Sequence, residues 1–299
     1  MVYHFIINPV AGEKISEQVI EIIEEYAKLH ESFEYTINLT QYEKHGMELS
    51  KAVTTPGDIV VSVGGDGSTF DVLNGLQEGV GLAIIPAGTG NDFVRMIGIP
   101  KNYSLKDTII NTLEGKKVTV DCGQANGHKY INSLNVGLDV AVLLEYNEMR
   151  ERRAWSAQLI YIVAAIKTLM RYETYQIDFE IDGSKGPSEI ILLTMMNGKY
   201  YGGGFKPTPE AELQDGRLDI CYVEKLPFLK VLQLFVKYRS GKHVGAKGVH
   251  VKPFDRVVIQ SEKPLHFGCD GEVHQDTRIE VTVLKDAVEL LVPNISPLN

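Results

Sequence analysis

Apolar residues recur in two rhythms along this chain. In the first third, short apolar runs alternate with stretches in which apolar residues return every three or four positions. Tyr3–Pro9 (YHFIINP) is a run of the first kind. Over Gly12–His30, Val19, Ile22, Ile23, Tyr26 and Leu29 fall at helical spacing and predict a helix. Phe33–Thr40 alternates like a strand, and HGMELSKAV, from His45, predicts a second helix. Asp58–Gly65 reads as a buried strand, STFDVLNGL from Ser68 as a helix, and Gly81–Gly88 as another strand. Ser104–Gly115 is an amphipathic helix ended by its glycine. Strand–helix alternation at this spacing predicts a parallel sheet covered on both faces. Ligands on such sheets sit beyond the carboxyl ends of the strands.

After residue 115 the rhythm changes. Gln176–Asp182, Glu189–Asn197, Leu218–Glu224, Arg256–Ser261, Pro264–Gly271, Arg278–Leu284 and Ala287–Pro293 alternate in polarity and are separated by Gly, Pro and Asp turns. That pattern predicts antiparallel β structure, a sandwich or open barrel. Two helices interrupt it, one around Val140–Tyr172 and one over Pro227–Gly241. The boundary between the two patterns falls near residues 122–130. The chain shows no internal repeat and no low-complexity linker.

The 299 residues suit two domains. With 44% hydrophobic and 23% charged residues, a disordered or collagen-like chain is excluded. The net charge of −9 argues against a general nucleic-acid binder. Cys122, Cys221 and Cys269 are odd in number and widely spaced, so we expect buried free thiols rather than a zinc site or disulfides. The N-terminus lacks the pattern of a signal peptide. The most apolar long window, Leu159–Ile166, falls far short of the roughly 20 residues of a membrane span.

The chemistry concentrates at strand ends. Val60–Leu76 holds an apolar strand, then Gly64-Gly65-Asp66-Gly67-Ser68, then a helix at once. Glycines let backbone N–H groups approach an anion, and a helix N-terminus adds a favourable field. Ser68 and Thr69 add hydroxyls. Asp66 inside a phosphate loop calls for a cation between carboxylate and phosphate, which suggests Mg²⁺. A second loop, Gly88-Thr89-Gly90-Asn91-Asp92-Phe93, follows the next strand. Asn8-Pro9-Val10-Ala11-Gly12 and Thr40 mark the ends of the first two strands. The P-loop, the dinucleotide fingerprint, the zinc-protease helix and the nucleophile elbow are all absent.

The order NPVAG, Thr40, GGDGS, PAGTGNDF and, far downstream, GCDGE (Gly268–Glu272) resembles the diacylglycerol kinase catalytic domain family, its bacterial lipid kinases in particular. Ser68 stands where that family usually has Thr. The resemblance implies an α/β nucleotide domain over residues 1–125 and a β-sandwich lipid domain over 126–289, with residues 290–299 packing back on the first. It places the active site in the cleft between them. It implies transfer of the γ-phosphate of ATP, with Mg²⁺, to a lipid hydroxyl, most simply diacylglycerol. Asn8 to Gly12, Thr40, Gly65 to Ser68 and Thr89 would bind ATP, with Gly64, Thr69, Gly88 and Asn91 beside them. Asp66, Asp92 and Asp121 would serve the catalytic Mg²⁺, partly through water. By the same resemblance Asp270 and Glu272 would be the catalytic carboxylates, either one the base, with Glu272 matching the family's proton acceptor. On residues alone, Asp-Gly is equally a hairpin turn. Glu212–Ile220 (ELQDGRLDI) resembles the family's structural Mg²⁺ loop, with the Asp215 carboxylate and the carbonyls of Glu212 and Arg217 as ligands; it also reads as a plain β-turn.

Three further segments bear on lipid contact. Lys237–Lys252 holds five Lys or Arg and no acid, and Asn147–Trp155 carries Arg150, Arg152 and Arg153. Such patches attract anionic headgroups or are simply solvated surface. Tyr200–Pro207 sets aromatics on a glycine hinge, a candidate lining for a lipid entrance. The expected setting is cytoplasmic and peripheral to a membrane, with a homodimer implied by the resemblance. The alternatives are an NAD kinase-like enzyme, which shares GGDG, and a family member that binds nucleotide or lipid without turnover.

Overall fold

The computed structural model describes residues 1–10, 15–87, 92–100, 102–152 and 155–298. The chain clusters into two compact units, Met1–Asp121 with Asp286–Asn299, and Cys122–Lys285.

The first unit is built on β1 (Val2–Ile7), α1 (Ile15–Leu29), β2 (Glu34–Leu39), α2 (His45–Lys51), β3 (Ile59–Gly64), α3 (Asp66–Gly75), β4 (Gly81–Pro86), α4 (Leu105–Leu113) and the start of β5 (Lys116–Ala125). The sheet order is β4-β3-β1-β2, parallel throughout. β3 is buried along its whole length, the signature of a strand covered on both faces. Tyr3, Phe5 and Ile7 of β1 and Val61 and Val63 of β3 form one core with Val19 and Ile23 of α1 and Ile109 and Leu113 of α4. α4 starts at a capping box: Asp107 N donates to Ser104 Oγ (3.1 Å) and Ser104 N to Asp107 Oδ2 (3.1 Å). Leu290 and Leu291, near the end of the chain, run parallel to Leu82 and Ala83 of β4.

The second unit continues β5 and adds β6 (His128–Tyr130), β7 (Ser133–Gly137), α5 (Leu138–Arg152), α6 (Ala157–Arg171), β8 (Tyr175–Gln176), β9 (Asp178–Ile181), β10 (Ser184–Lys185), β11 (Glu189–Met196), β12 (Leu218–Glu224), α7 (Phe228–Arg239), β13 (Val249–Phe254), β14 (Arg256–Cys269) and β15 (Glu272–Val292). Its strands pair antiparallel in the order β13-β12-β11-β7-β14-β15, with β9 also on β14.

Three readings of the sequence are corrected here. The single helix around Val140–Tyr172 is two helices. Ser156 is extended (ψ 144°) and its Oγ accepts from Leu159 N at 3.4 Å, so the chain restarts a helix with a fresh cap. Glu145 of α5 then braces the pair, accepting from Lys167 and Arg171 of α6. The separate strands at 256–261 and 264–271 are one strand, because a register shift between Gln260 and Leu265 absorbs the polar residues between them. The strands at 278–284 and 287–293 are likewise one, β15, which carries Asp286 at positive φ (48°) where the chain passes between units. Within the segment read as a basic patch, Val249–Phe254 is a strand on the edge of the sheet. All three cysteines are buried free thiols.

Candidate active site

In the first unit the polar strand ends are joined to one another. Asn8, just past β1, donates its backbone N–H to Val63 O (3.0 Å) and its Nδ2 to Ser68 Oγ (3.2 Å). Its Oδ1 accepts from Val10 N at 3.0 Å, which turns the chain at exposed Pro9 and Val10. Thr40, past β2, donates to Ile7 O (2.9 Å), and Ala87, past β4, donates to Gly64 O (2.8 Å).

The turn at the end of β3 is tight. A Cβ on Gly64 would stand 2.2 Å from Ser68 Oγ and 2.5 Å from Ser68 Cβ, so only glycine lets the strand end meet the helix this closely. α3 begins inside the motif, at Asp66, two residues earlier than its apolar pattern suggests. Its cap residue Gly65 supplies no side-chain cap, which leaves a ten-residue helix with N-terminal amides and the positive end of its dipole for an anion. Asp66, Gly67 and Ser68 form the first turn and are half-buried. Thr69, the next residue, is buried.

Ala11, Gly12, Gly88, Thr89 and Asn91 lie outside the described residues. Asp92 is buried, with Arg95 Nε 3.3 Å from its Oδ1. Asp121 is buried at the end of the first unit and accepts from Asp286 N at 2.8 Å, tying the outgoing chain to the returning one. Among the described residues, no three His, Cys, Asp or Glu side chains converge as a metal cluster. Asp66, Asp92 and Asp121 are therefore not a ready cage. All three are oxygen donors, the ligand type that Mg²⁺ takes alongside water and phosphate oxygens.

In the second unit, Asp270 and Gly271 are the two residues of a hairpin joining β14 to β15. Both have positive φ (46° and 94°), the requirement of a type I′ turn. The hairpin sets the two carboxylates in opposite surroundings. Asp270 is buried, and its Oδ1 accepts from Asn132 N (3.0 Å) and Ser133 N (2.8 Å) while Oδ2 accepts from Ile131 N (2.7 Å). Burial pushes its carboxyl up to about 6 against the pull of those three donors. Glu272 is exposed at the first position of β15, where a carboxylate can accept a proton from an approaching hydroxyl.

The acidic turn at Glu212–Ile220 folds around Asp215, whose Oδ1 accepts from Arg217 N at 3.0 Å. Asp219, which the sequence reading did not single out, is pushed up to about 6, by burial first and then by Asp215, with Glu212 adding to it against Arg217.

The sequence also missed a site in the second unit. α5, α6, α7 and β11 line an apolar pocket of about 40 Å³, with Val142, Ala165, Leu169, Val231 and Phe235 among its walls. Its polar point is Asp139, a half-buried carboxylate that accepts from Thr194 Oγ1 and Tyr201 Oη, each at 2.6 Å. Burial raises Asp139 while these two hydroxyls hold it down. The aromatic glycine segment contributes here, because Tyr201 and Phe205 both line the pocket. His243 lies beside it, its Nε2 donating to Pro207 O (3.0 Å), and burial lowers its affinity for a proton, so the ring is neutral. Sequence spacing gave no signal for this constellation, since Asp139 lies more than fifty residues from both Thr194 and Tyr201. Of the basic candidates, Arg152 pairs with Glu148 (3.1 Å) and Arg153 lies outside the described residues.

The comparisons with known proteins agree on a single assignment. Residues 2–125 match the diacylglycerol kinase catalytic domain, and residues 132–292 match the YegS C-terminal NAD kinase beta sandwich-like domain. A diacylglycerol kinase of Bacillus subtilis (strain 168) is 27% identical over 274 residues, 89% of this chain and 88% of that one. A diacylglycerol kinase of Staphylococcus saprophyticus is 27% identical over 297 residues, 97% and 94% of the two chains. The crystal structure of a diacylglycerol kinase from Bacillus anthracis superposes with a TM-score of 0.77 at 24% identity, over 97% of this chain and 96% of that one. Yeast NADH kinase shares the fold alone, with a TM-score of 0.52 at 10% identity over 97% of this chain and 82% of that one.

Proposed function

Because the chain belongs to the diacylglycerol kinase family of lipid kinases, we propose that it transfers the γ-phosphate of ATP to the free hydroxyl of diacylglycerol, giving phosphatidic acid and ADP. The observation that carries this reading is the approach of Gly64 to Ser68, which sets an uncapped helix N-terminus directly at a strand end. That junction turns helix N-terminal amides toward an anion and has no room for a side chain at Gly64.

The roles follow from the surroundings of each residue. Asn8 holds the first loop against Ser68, and the amides of the α3 first turn receive phosphate oxygens. Asp66 and Asp92 are the carboxylates that would hold Mg²⁺, which when bound neutralises phosphate charge. The acceptor oxygen forms a bond to the γ-phosphorus as the bond from that phosphorus to the β–γ bridging oxygen breaks, and ADP leaves with the electron pair. Glu272 takes the hydroxyl proton. Asp270, buried and accepting from the backbone N–H groups of Ile131, Asn132 and Ser133, acts as a positioning residue for residues 131–133. The apolar pocket beside Asp139 is the site for acyl chain, with the carboxylate accepting from a polar group near the glycerol. Such an enzyme works in the cytoplasm at a membrane surface, where its substrate resides.

The test is transfer of labelled γ-phosphate to mixed micelles carrying diacylglycerol, beside a Glu272→Ala control. Labelled phosphatidic acid that disappears in the variant supports both reaction and base. Label on another lipid alcohol keeps the chemistry and changes the substrate, whereas label on NAD alone would overturn the lipid reading.

A further inference from the structure

Helix α6 is apolar where a surface helix should be polar. Ile160, Ala164 and Leu169 are buried, and Ile160 and Ala164 join the Val142–Met149 side of α5 in one small core. On the opposite side, Leu159, Ile162, Ile166 and Met170 follow at intervals of three, four and four, and they are 47%, 49%, 52% and 65% exposed. Trp155 stands just before the helix, also exposed. A helix that is apolar on both sides belongs in a core or against another apolar phase. Among the described residues, no helix is long and apolar enough to cross a membrane.

The neighbouring segment supplies charge. From Pro227 through Phe254 there is no Asp or Glu, in a chain whose net charge is −9. Lys230, Lys237, Arg239, Lys242, Lys247 and Lys252 are all exposed, and none is in an ion pair among the described residues. Exposed Leu229, Val236 and Val244 lie between them. The inner faces of both stretches meet at one place: Tyr161, Ala165 and Leu169 of α6 line the apolar pocket with Val231, Phe235 and Tyr238 of α7.

We propose that the outer face of α6, with the α7–β13 segment, docks on an anionic lipid bilayer. Exposed apolar rows beside unpaired cations are the pattern of an interfacial helix, which buries its apolar side at the headgroup boundary and draws on anionic lipid for the rest. The pairing of charge selects this occupant over a second copy of the chain. A two-fold contact through this face would bring the same cations together. The inference rests on the lipid-kinase reading for its purpose, but its test needs no turnover.

The experiment is cosedimentation, without ATP, on vesicles of equal parts phosphatidylcholine and phosphatidylglycerol or of phosphatidylcholine alone. Trp155, the only tryptophan, serves as a fluorescence reporter. The wild-type protein should bind the anionic vesicles with a blue shift of Trp155 and release at high salt. Leu159→Ser, Ile162→Ser and Ile166→Ser combined should lower binding at least tenfold, as should Lys237→Glu with Lys242→Glu. All these side chains are exposed, and circular dichroism checks that the fold persists. Turnover on a short-chain, water-soluble diacylglycerol should be unchanged in both variants. That result separates loss of docking from failure of the kinase reading, which would abolish turnover in the wild type as well. Equal vesicle binding by wild type and variants would overturn the proposal, and so would a change of oligomeric state in the α6 variant without a change in vesicle binding.

Discussion

Asp270 and Ser133 hold each other by two hydrogen bonds: Asp270 N donates to Ser133 O at 2.9 Å, and Ser133 N donates to Asp270 Oδ1 at 2.8 Å. This clasp binds the β14–β15 hairpin to the start of β7, and Glu272 stands two residues beyond it. Asp270 is buried in this clasp, whereas Glu272 is exposed.

The first prediction concerns pH. Burial raises the Asp270 carboxyl from its ordinary value of 3.8 to about 6. Between these values the folded state binds a proton that the unfolded chain has released. The contribution of Asp270 to stability is therefore present below about 3.8 and is lost as pH rises to about 6, a change on the order of 3 kcal/mol. Asp270→Asn removes the titration. It also sets an amide donor against one of three backbone N–H groups, at a cost of ~1–3 kcal/mol. Urea midpoints measured across this range should converge, with the wild type losing its advantage as pH rises. A constant gap between the two proteins would refute the titration.

Gly64→Ala tests the phosphate loop. The new methyl would meet Ser68 at both Oγ (2.2 Å) and Cβ (2.5 Å). Rotating the hydroxyl relieves only the first contact, so the first turn of α3 must move. We expect ~1–3 kcal/mol of destabilisation and a KM for ATP raised more than the KM for lipid. The double variant Gly64→Ala, Ser68→Ala should be no better, because the Ser68 Cβ contact remains. Recovery of ATP affinity in the double variant would show that the hydroxyl alone set the constraint.

The parts of this molecule that the sequence made legible are those in which chemistry and periodicity coincide. β3 is an unbroken apolar run closed by paired glycines, and both its burial and its turn could be read directly. Asp270-Gly271 was legible as a hairpin turn, and it is one. The illegible parts depended on tertiary partners. Lys252 and Pro253 look like loop residues until β12 pairs with them. Asp139 looks like a surface acid at the head of α5, since its donors Thr194 and Tyr201 arrive from distant segments. The break between α5 and α6 turned on one capping serine in an otherwise continuous helical pattern.

Glu272→Gln should separate chemistry from binding. Glu272 is exposed, so the substitution should leave the thermal midpoint within about a degree, in keeping with the ±0.5 kcal/mol typical of surface changes. General-base assistance contributes roughly 10²–10⁴ in rate, and kcat should fall by that factor with KM for ATP held. A variant that keeps full kcat would remove Glu272 from the mechanism.

The pocket makes its own prediction through chain length. Ala165 is buried on the inner face of α6 and lines the pocket. Ala165→Phe should occupy space meant for acyl chain at a packing cost of ~1–3 kcal/mol. KM should rise for a diacylglycerol with long acyl chains and stay near the wild-type value for one with short chains. A uniform rise for both would mean that the pocket is core rather than a binding site.

Tyr201→Phe isolates the polar point of the same pocket. The ring remains, so the lining keeps its shape, but Asp139 loses one of two donors at 2.6 Å. Burial already raises the Asp139 carboxyl, and Tyr201 is one of the groups that lower it, so the substitution raises it further. A carboxyl raised in the folded state contributes stability that is present at low pH and lost as pH rises through its folded value. The variant should therefore nearly match the wild type in acid and fall behind it with rising pH, by ~1.5–3 kcal/mol once Asp139 is charged in the wild type. Thermal midpoints of both proteins over a pH series measure this directly. A deficit that is the same at every pH would mean that the lost hydroxyl served packing alone, with no charge on Asp139 to hold.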